Sequence, residues 1–420
     1  MMGYLKEDRP KVFWDSTISS LVRAVGIIST FILIKSVDEN LDDDELGYLL
    51  TALSLFSFLA LFDLGLGNAS RNLISSEYFS GKKSGLFEAY LTLNTLLVGL
   101  VFVVGGQIFL MTYQGGWLTT VLDRENICYL IIAALCQPGR IGYLSVSQTY
   151  AAQIIQYLPI ILVTFISSLF AADFEFLCKL YLRFLCSFNL LGVLLVFKLL
   201  KFDFKLIAVV KLITSKIFTK AFSYLVIQSL GTATFIMLNL WVIESVSAEE
   251  GLSFNLMFRV YSAGLAIFGA YILPNWTQIQ ISTLSFRMLI KTYIYSQRNT
   301  LIIFIFGGLL IGLMGNKILS LLVKDFKDLG GISWVLIFTY YCIQLLVQEL
   351  GTMLNGLGMT RIQVIFGIIQ IIFLAAVTVF LEGTNLFQAL LILVIFSLVP
   401  LIGSIIYLYK QYVRDFNSNI

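Results

Sequence analysis

Five cations lie inside stretches that are otherwise apolar: Arg23, Arg140, Lys179, Arg183 and Arg259. A cation at mid-bilayer costs about 2.5–3.5 kcal/mol on insertion scales, which is tolerable only beside a counter-charge or a wet cavity. Such residues suit the reception of an anion inside a membrane, and Arg23, Arg140, Arg183 and Arg259 are the candidate substrate-binding residues. Two acids in similar settings, Asp63 and Glu349, are candidates for gating or ion coupling.

The elements that must carry these residues follow from composition. The 420 residues are 58% hydrophobic and 13% charged, with mean hydropathy +0.89, against about 25% charged residues in soluble domains. Apolar stretches of about 20 residues, enough to cross a ~30 Å hydrocarbon core as helix, recur about twelve times. The chain therefore reads as an all-α polytopic membrane protein. The first apolar stretch is too long for a signal-peptide core and lacks a small-residue cleavage site, so it is expected to stay in the mature protein.

Orientation follows from the basic residues, which are retained in cytoplasmic loops. With the N-terminus inside, most of the 28 Lys and Arg fall on the inner side, among them Lys6, Arg71, Lys82, Lys205, Lys291 and Arg361. Lys35, Arg124, Lys317, Lys324 and Lys327 fall outside, where acids gather in the run from Asp38 to Glu45. Both termini are thus expected in the cytoplasm. The net charge of +3 averages two opposite faces and carries no message about nucleic acid.

Histidine is absent, which excludes a Cys/His zinc site, a histidine general base and an imidazole relay. The cysteines, Cys128, Cys136, Cys178, Cys186 and Cys342, mostly fall in apolar stretches, where a free thiol packs as a small hydrophobe. No cofactor is called for.

Glycines at Gly47 and Gly65 recur at Gly251 and Gly269 with one common offset, and each half has a very short link between its fourth and fifth spans. Two parallel repeats of six spans are expected, residues 1–200 and 219–420, with substrate sites between repeats in folds of this kind. The connector, residues 201–218, spaces lysines among apolar residues. It reads either as an amphipathic helix on the inner leaflet or as a solvated loop.

Pro138-Gly139 directly before Arg140, and Pro159 in the next span, predict bends. Pro274 is expected to end the eighth span. Ser16, Ser20, Arg23 and Thr30 share one helical face, so Arg23 is read either as gripping a phosphate or as an ion pair or snorkelling cation. Asp63 opposes the negative end of a helix dipole and needs a cationic partner, with Arg23 and Arg71 as candidates.

Asn255, Arg259 and Ser262 share a face, and Arg259 lies ~12 Å deep at ~1.5 Å per residue. Glu175 and Lys179 are spaced as an intrahelical pair. Glu349 stands with Gln344, Gln348 and Asn355, as a sugar or cation site or as helix-to-helix hydrogen bonding.

Gly47-Tyr48, the Asp63-Leu64-Gly65-Leu66-Gly67 stretch, and Leu354-Asn355-Gly356-Leu357-Gly358 followed by Thr360-Arg361 resemble the polysaccharide-transport flippases. These are relatives of the multidrug and oligosaccharidyl-lipid exporters. The resemblance implies two six-helix bundles, alternating access and a cationic lumen, in keeping with Arg23, Arg140, Arg183 and Arg259.

It further implies an undecaprenyl-diphosphate-linked oligosaccharide as substrate, carried to the outer leaflet of a bacterial inner membrane for O-antigen or capsule assembly. The implied partners are that lipid-linked oligosaccharide, membrane lipids, and polysaccharide polymerase and chain-length machinery. A drug exporter on the same fold would want deep acids for cationic drugs, and a membrane-embedded polymerase or glycosyltransferase would want a substantial outer loop. A transporter of an anion, not an enzyme, is the reading the residues favour.

Overall fold

The computed structural model describes residues 9–37, 65–81, 85–112, 124–170, 174–200, 217–229, 248–282, 286–322, 330–380 and 386–418. These residues are helical with short turns, and the chain is an all-α polytopic membrane protein. It divides into two compact units, Met1–Leu225 and Val226–Ile420. Among the described residues, eight helices are long and apolar enough to cross a membrane. Residues 201–216 of the connector and Asp63 lie outside the described residues.

The first unit contains α1 (Arg9–Val37), α2 (Leu66–Phe79), α3 (Leu86–Thr112), α4 (Arg124–Leu135), α5 (Pro138–Ser145), α6 (Thr149–Ser167) and α7 (Phe174–Leu200), with residues 217–225 of the helical segment 217–229. Helices α1 and α6 pack along most of their length. The Ser19 and Thr149 hydroxyls lie 2.8 Å apart at one end, and Thr164 donates to the Ser29 carbonyl (2.9 Å) toward the other. Contacts that advance together along both chains make the two helices parallel. Their first turns therefore lie on one side of the membrane, as the count of spans requires.

The predicted bend at Pro138 is a break. Helix α4 ends at Leu135, Cys136 and Gln137 form a turn, and α5 restarts with Pro138 in its first turn, where a missing N–H is harmless. Pro159 stays inside α6. Pro274 does not end its helix as expected: α8 (Ala248–Ile281) runs through it. Membrane helices tolerate an interior proline because neighbouring groups and local adjustment re-satisfy the freed carbonyl. Buried Trp276 and Ile279 beyond it keep the final turns packed.

The second unit is built from α8, α9 (Phe286–Leu322), α10 (Gly330–Gly356), α11 (Thr360–Phe380) and α12 (Leu386–Ser418). Helix α10 is its hub, packing on α8, α9 and α12. On α8, Phe254, Phe258, Tyr261, Leu265, Phe268 and Ile272 recur every three or four residues, which is one helical face. They meet Trp334, Ile337, Tyr341 and Leu345 of α10. The rings keep polar partners: Trp334 donates to Asn316 Oδ1 (2.6 Å), and Tyr261 to the Gly308 carbonyl (3.2 Å).

The turns that follow α5 and α10 are alike. After α5, Ser147 is left-handed (φ 57°) and Gln148 N–H donates to the Tyr143 carbonyl (3.0 Å). After α10, Gly358 is left-handed (φ 71°) and Met359 N–H donates to the Leu354 carbonyl (2.8 Å). Both have the long-range bond and left-handed residue of a Schellman stop, and in both a threonine, Thr149 or Thr360, opens the next helix.

Candidate functional site

In the first unit three charged residues, Asp15 of α1, Arg71 of α2 and Arg140 of α5, lie within electrostatic reach of one another through Arg71. Helix α6 has no side-chain cap of its own, since Gln148 makes no capping bond. Asp15 supplies one from α1. Its carboxylate accepts from Thr149 Oγ1 (2.6 Å), Thr149 N–H (3.2 Å) and Tyr150 N–H (2.9 Å). Free N–H groups and the positive end of the dipole make a helix N-terminus a good seat for a carboxylate.

Arg71 stands within electrostatic reach of both Asp15, which attracts it, and Arg140, which repels it. It was expected in an inner loop, yet it lies in α2 and is 1% exposed. Helix α2 is made largely of polar and small residues, and tertiary bonds hold it: Asn72 donates to the Tyr224 hydroxyl (3.5 Å) and Ser75 to the Ser145 carbonyl (2.8 Å). Gly65 precedes it in a left-handed conformation (φ 76°), as a glycine-bearing turn predicts. Arg140 is half-buried on α5. Its depth is set by Gly139, where an added Cβ would fall 2.6 Å from the Val193 nitrogen, so that α5 rests on the α7 backbone.

The predicted cations are distributed unequally. Arg23, two turns beyond Asp15 on α1, is half-buried with its guanidinium 5.5 Å from the Tyr157 ring centre, a cation–π distance. Its Nε makes no hydrogen bond among the described residues. Arg183 does not join Arg140. It is exposed on α7, bonds Glu125 Oε1 (2.6 Å) and lies over the Tyr129 ring (5.8 Å). Lys179 pairs with Glu175 one turn away, as their spacing predicted.

In the second unit Arg259 is half-buried on α8 between core residues Phe258 and Tyr261. Glu349 is 6% exposed, and the Tyr293 hydroxyl of α9 stands beside its carboxylate. The polar group expected around it does not converge. Gln363 Nε2 donates to Asn355 Oδ1 (2.8 Å). Gln348 approaches Gly269 of α8, while the Tyr293 hydroxyl of α9 reaches the Glu349 carbonyl oxygen (3.4 Å). Adjacent residues on a helix point about 100° apart, so Gln348 and Glu349 serve different neighbours.

The sequence reading passed over Asp15 and placed Arg71 in an inner loop, as a candidate partner of Asp63. Asp15 falls within the first apolar stretch, and its meeting with Arg71 depends on packing.

The architecture is that of the MATE and wider MOP transporters. No protein-family profile matches the sequence, and no curated protein matches it. Solved structures do match in fold. A MOP superfamily transporter from Pyrococcus furiosus, described as having a binding pocket of reverse polarity that suggests a different function, aligns at TM-score 0.76 and 14% identity over 96% of each chain. The Vibrio cholerae MATE transporter VcmN aligns at 0.75 and 11%, over 97% of this chain and 98% of its own. A multidrug resistance MATE transporter in an outward-facing conformation aligns at 0.74 and 13% over 96% of each. At these identities the likeness identifies the fold.

Proposed function

We propose that the protein is an alternating-access transporter, not an enzyme, and that its cargo is an undecaprenyl-diphosphate-linked oligosaccharide moved outward across a bacterial inner membrane for O-antigen or capsule assembly. The observation that supports this reading is that three arginines, Arg23, Arg140 and Arg259, are half-buried within the spans. Asp15 is committed to capping α6, and Glu125 and Glu175 to Arg183 and Lys179. Half-buried Arg23, Arg140 and Arg259 suit a diphosphate, which takes charge and paired hydrogen bonds from guanidinium groups. Arg183 enters this set only by exchanging Glu125 for the phosphate. A pocket of reverse polarity has been ascribed to another protein of this fold, so the polarity of the pocket varies on this architecture.

Drug export is the second reading, favoured by the fold of the multidrug transporter and by the buried Glu349 carboxylate, which suits a cation. Disrupting the gene separates the two. Accumulation of single lipid-linked repeat units on the inner leaflet is the expected result, whereas unchanged glycan with increased drug sensitivity would replace the proposal with the second reading. Arg259→Ala should lower glycan export at normal protein level, and Arg259→Lys should retain part of it, since charge survives without the bidentate fork. Full export after Arg259→Ala would remove Arg259 from the site.

A further inference from the structure

Helix α9 is 37 residues long, about 55 Å at ~1.5 Å per residue, against a hydrocarbon core of ~30 Å. Part of it must stand outside that core. Ile302, Phe306, Leu309 and Leu313 follow one another at three- or four-residue steps and are all exposed, Leu313 at 75%. They form a single apolar stripe suited to lipid chains. The same stripe, continued toward the start of the helix, changes character. Lys291, Tyr295 and Arg298 occupy it, all exposed, with Tyr295 at 72% and its ring 5.5 Å beneath the Arg298 guanidinium.

Exposed Lys317 near the other end lies roughly 28 Å from Arg298 along the axis, at about 1.5 Å per residue. The two cations therefore bracket a stretch as long as the hydrocarbon core is thick. Arg298 falls at the boundary of the leaflet and Lys291 about 10 Å beyond it, in the headgroup layer.

We propose that Lys291, Tyr295 and Arg298 form a binding site for the headgroup of an anionic glycerophospholipid in the leaflet at the start of α9. The positive-inside balance assigns that leaflet to the cytoplasmic side. The phosphate lies between the two cations, the tyrosine holds the guanidinium in place and occupies the interfacial depth aromatic side chains prefer, and the acyl chains run along the Ile302–Leu313 stripe. Juxtamembrane cations attract anionic lipid more strongly than zwitterionic lipid. The site is independent of the transported cargo.

The test uses the full chain in nanodiscs with photoactivatable phosphatidylglycerol or phosphatidylcholine, mapping labelled peptides by mass spectrometry. Peptides covering 288–302 should be labelled by phosphatidylglycerol on the order of tenfold more than by phosphatidylcholine, as two cations near one headgroup layer predict. Lys291→Gln with Arg298→Gln should abolish that preference without shifting the unfolding midpoint in phosphatidylcholine. Should the double variant unfold, each single variant carries the test and should lose roughly threefold. Excess inorganic phosphate should leave labelling unchanged. Equal labelling by the two lipids, unchanged preference in the variants, or displacement by inorganic phosphate would each overturn the proposal.

Discussion

Asp15 shows how a carboxylate can be held inside a membrane bundle by a helix N-terminus. It accepts two N–H groups and a hydroxyl at the start of α6, so its charge meets fixed donors at the positive end of a helix. Asp15→Ala leaves those donors unmet and should lower stability by about 1–2 kcal/mol. Asp15→Asn keeps an acceptor oxygen and should lose less. Thermal unfolding of the purified variants ranks them, and equal loss in both would mean that the charge, not the acceptor, matters. On α1, Ser16 and Ser19 are buried beside Asp15.

At the scale of helices, the matching stops after α5 and α10 give a paired prediction. Ser147 adopts a left-handed conformation that Gly358 adopts without Cβ strain. Ser147→Gly should raise stability by about 1 kcal/mol and Gly358→Ala should lower it by a similar amount, both read as unfolding midpoints. Identical responses at the two positions would contradict the shared geometry. Most of this element-level structure was legible in advance. The apolar stretches, the interruption at Pro138 and the short links all depend on local sequence. Pro274 misled because the packing that carries α8 past it lies on other helices. Helix α2 was hidden for a related reason: hydropathy registers its polar residues, whereas their burial depends on α3, α5 and Tyr224. The meeting of Asp15, Arg71 and Arg140 joins distant segments and has no local signature.

For the whole molecule, the distribution of charge predicts orientation. Cysteines placed at Lys82, Lys205 or Lys291 should react with an impermeant thiol reagent only from the cytoplasmic side, and cysteines at Asp43, Glu249 or Lys324 only from outside. Labelling at 205 from outside would reverse the assignment. The parallel pairing of α1 and α6 also bears on how the chain is made. Asp15 and its partner Thr149 are 134 residues apart, and at about 5–20 residues per second roughly ten seconds of synthesis separate them. Throughout that interval α1 is present with Asp15 and Arg23 but without the helix start that receives the acid. A span in that condition is a poor candidate for release into lipid. It should remain beside the insertion machinery until α6 emerges, so the first helix of the nascent chain is committed to the bilayer by the arrival of a later one.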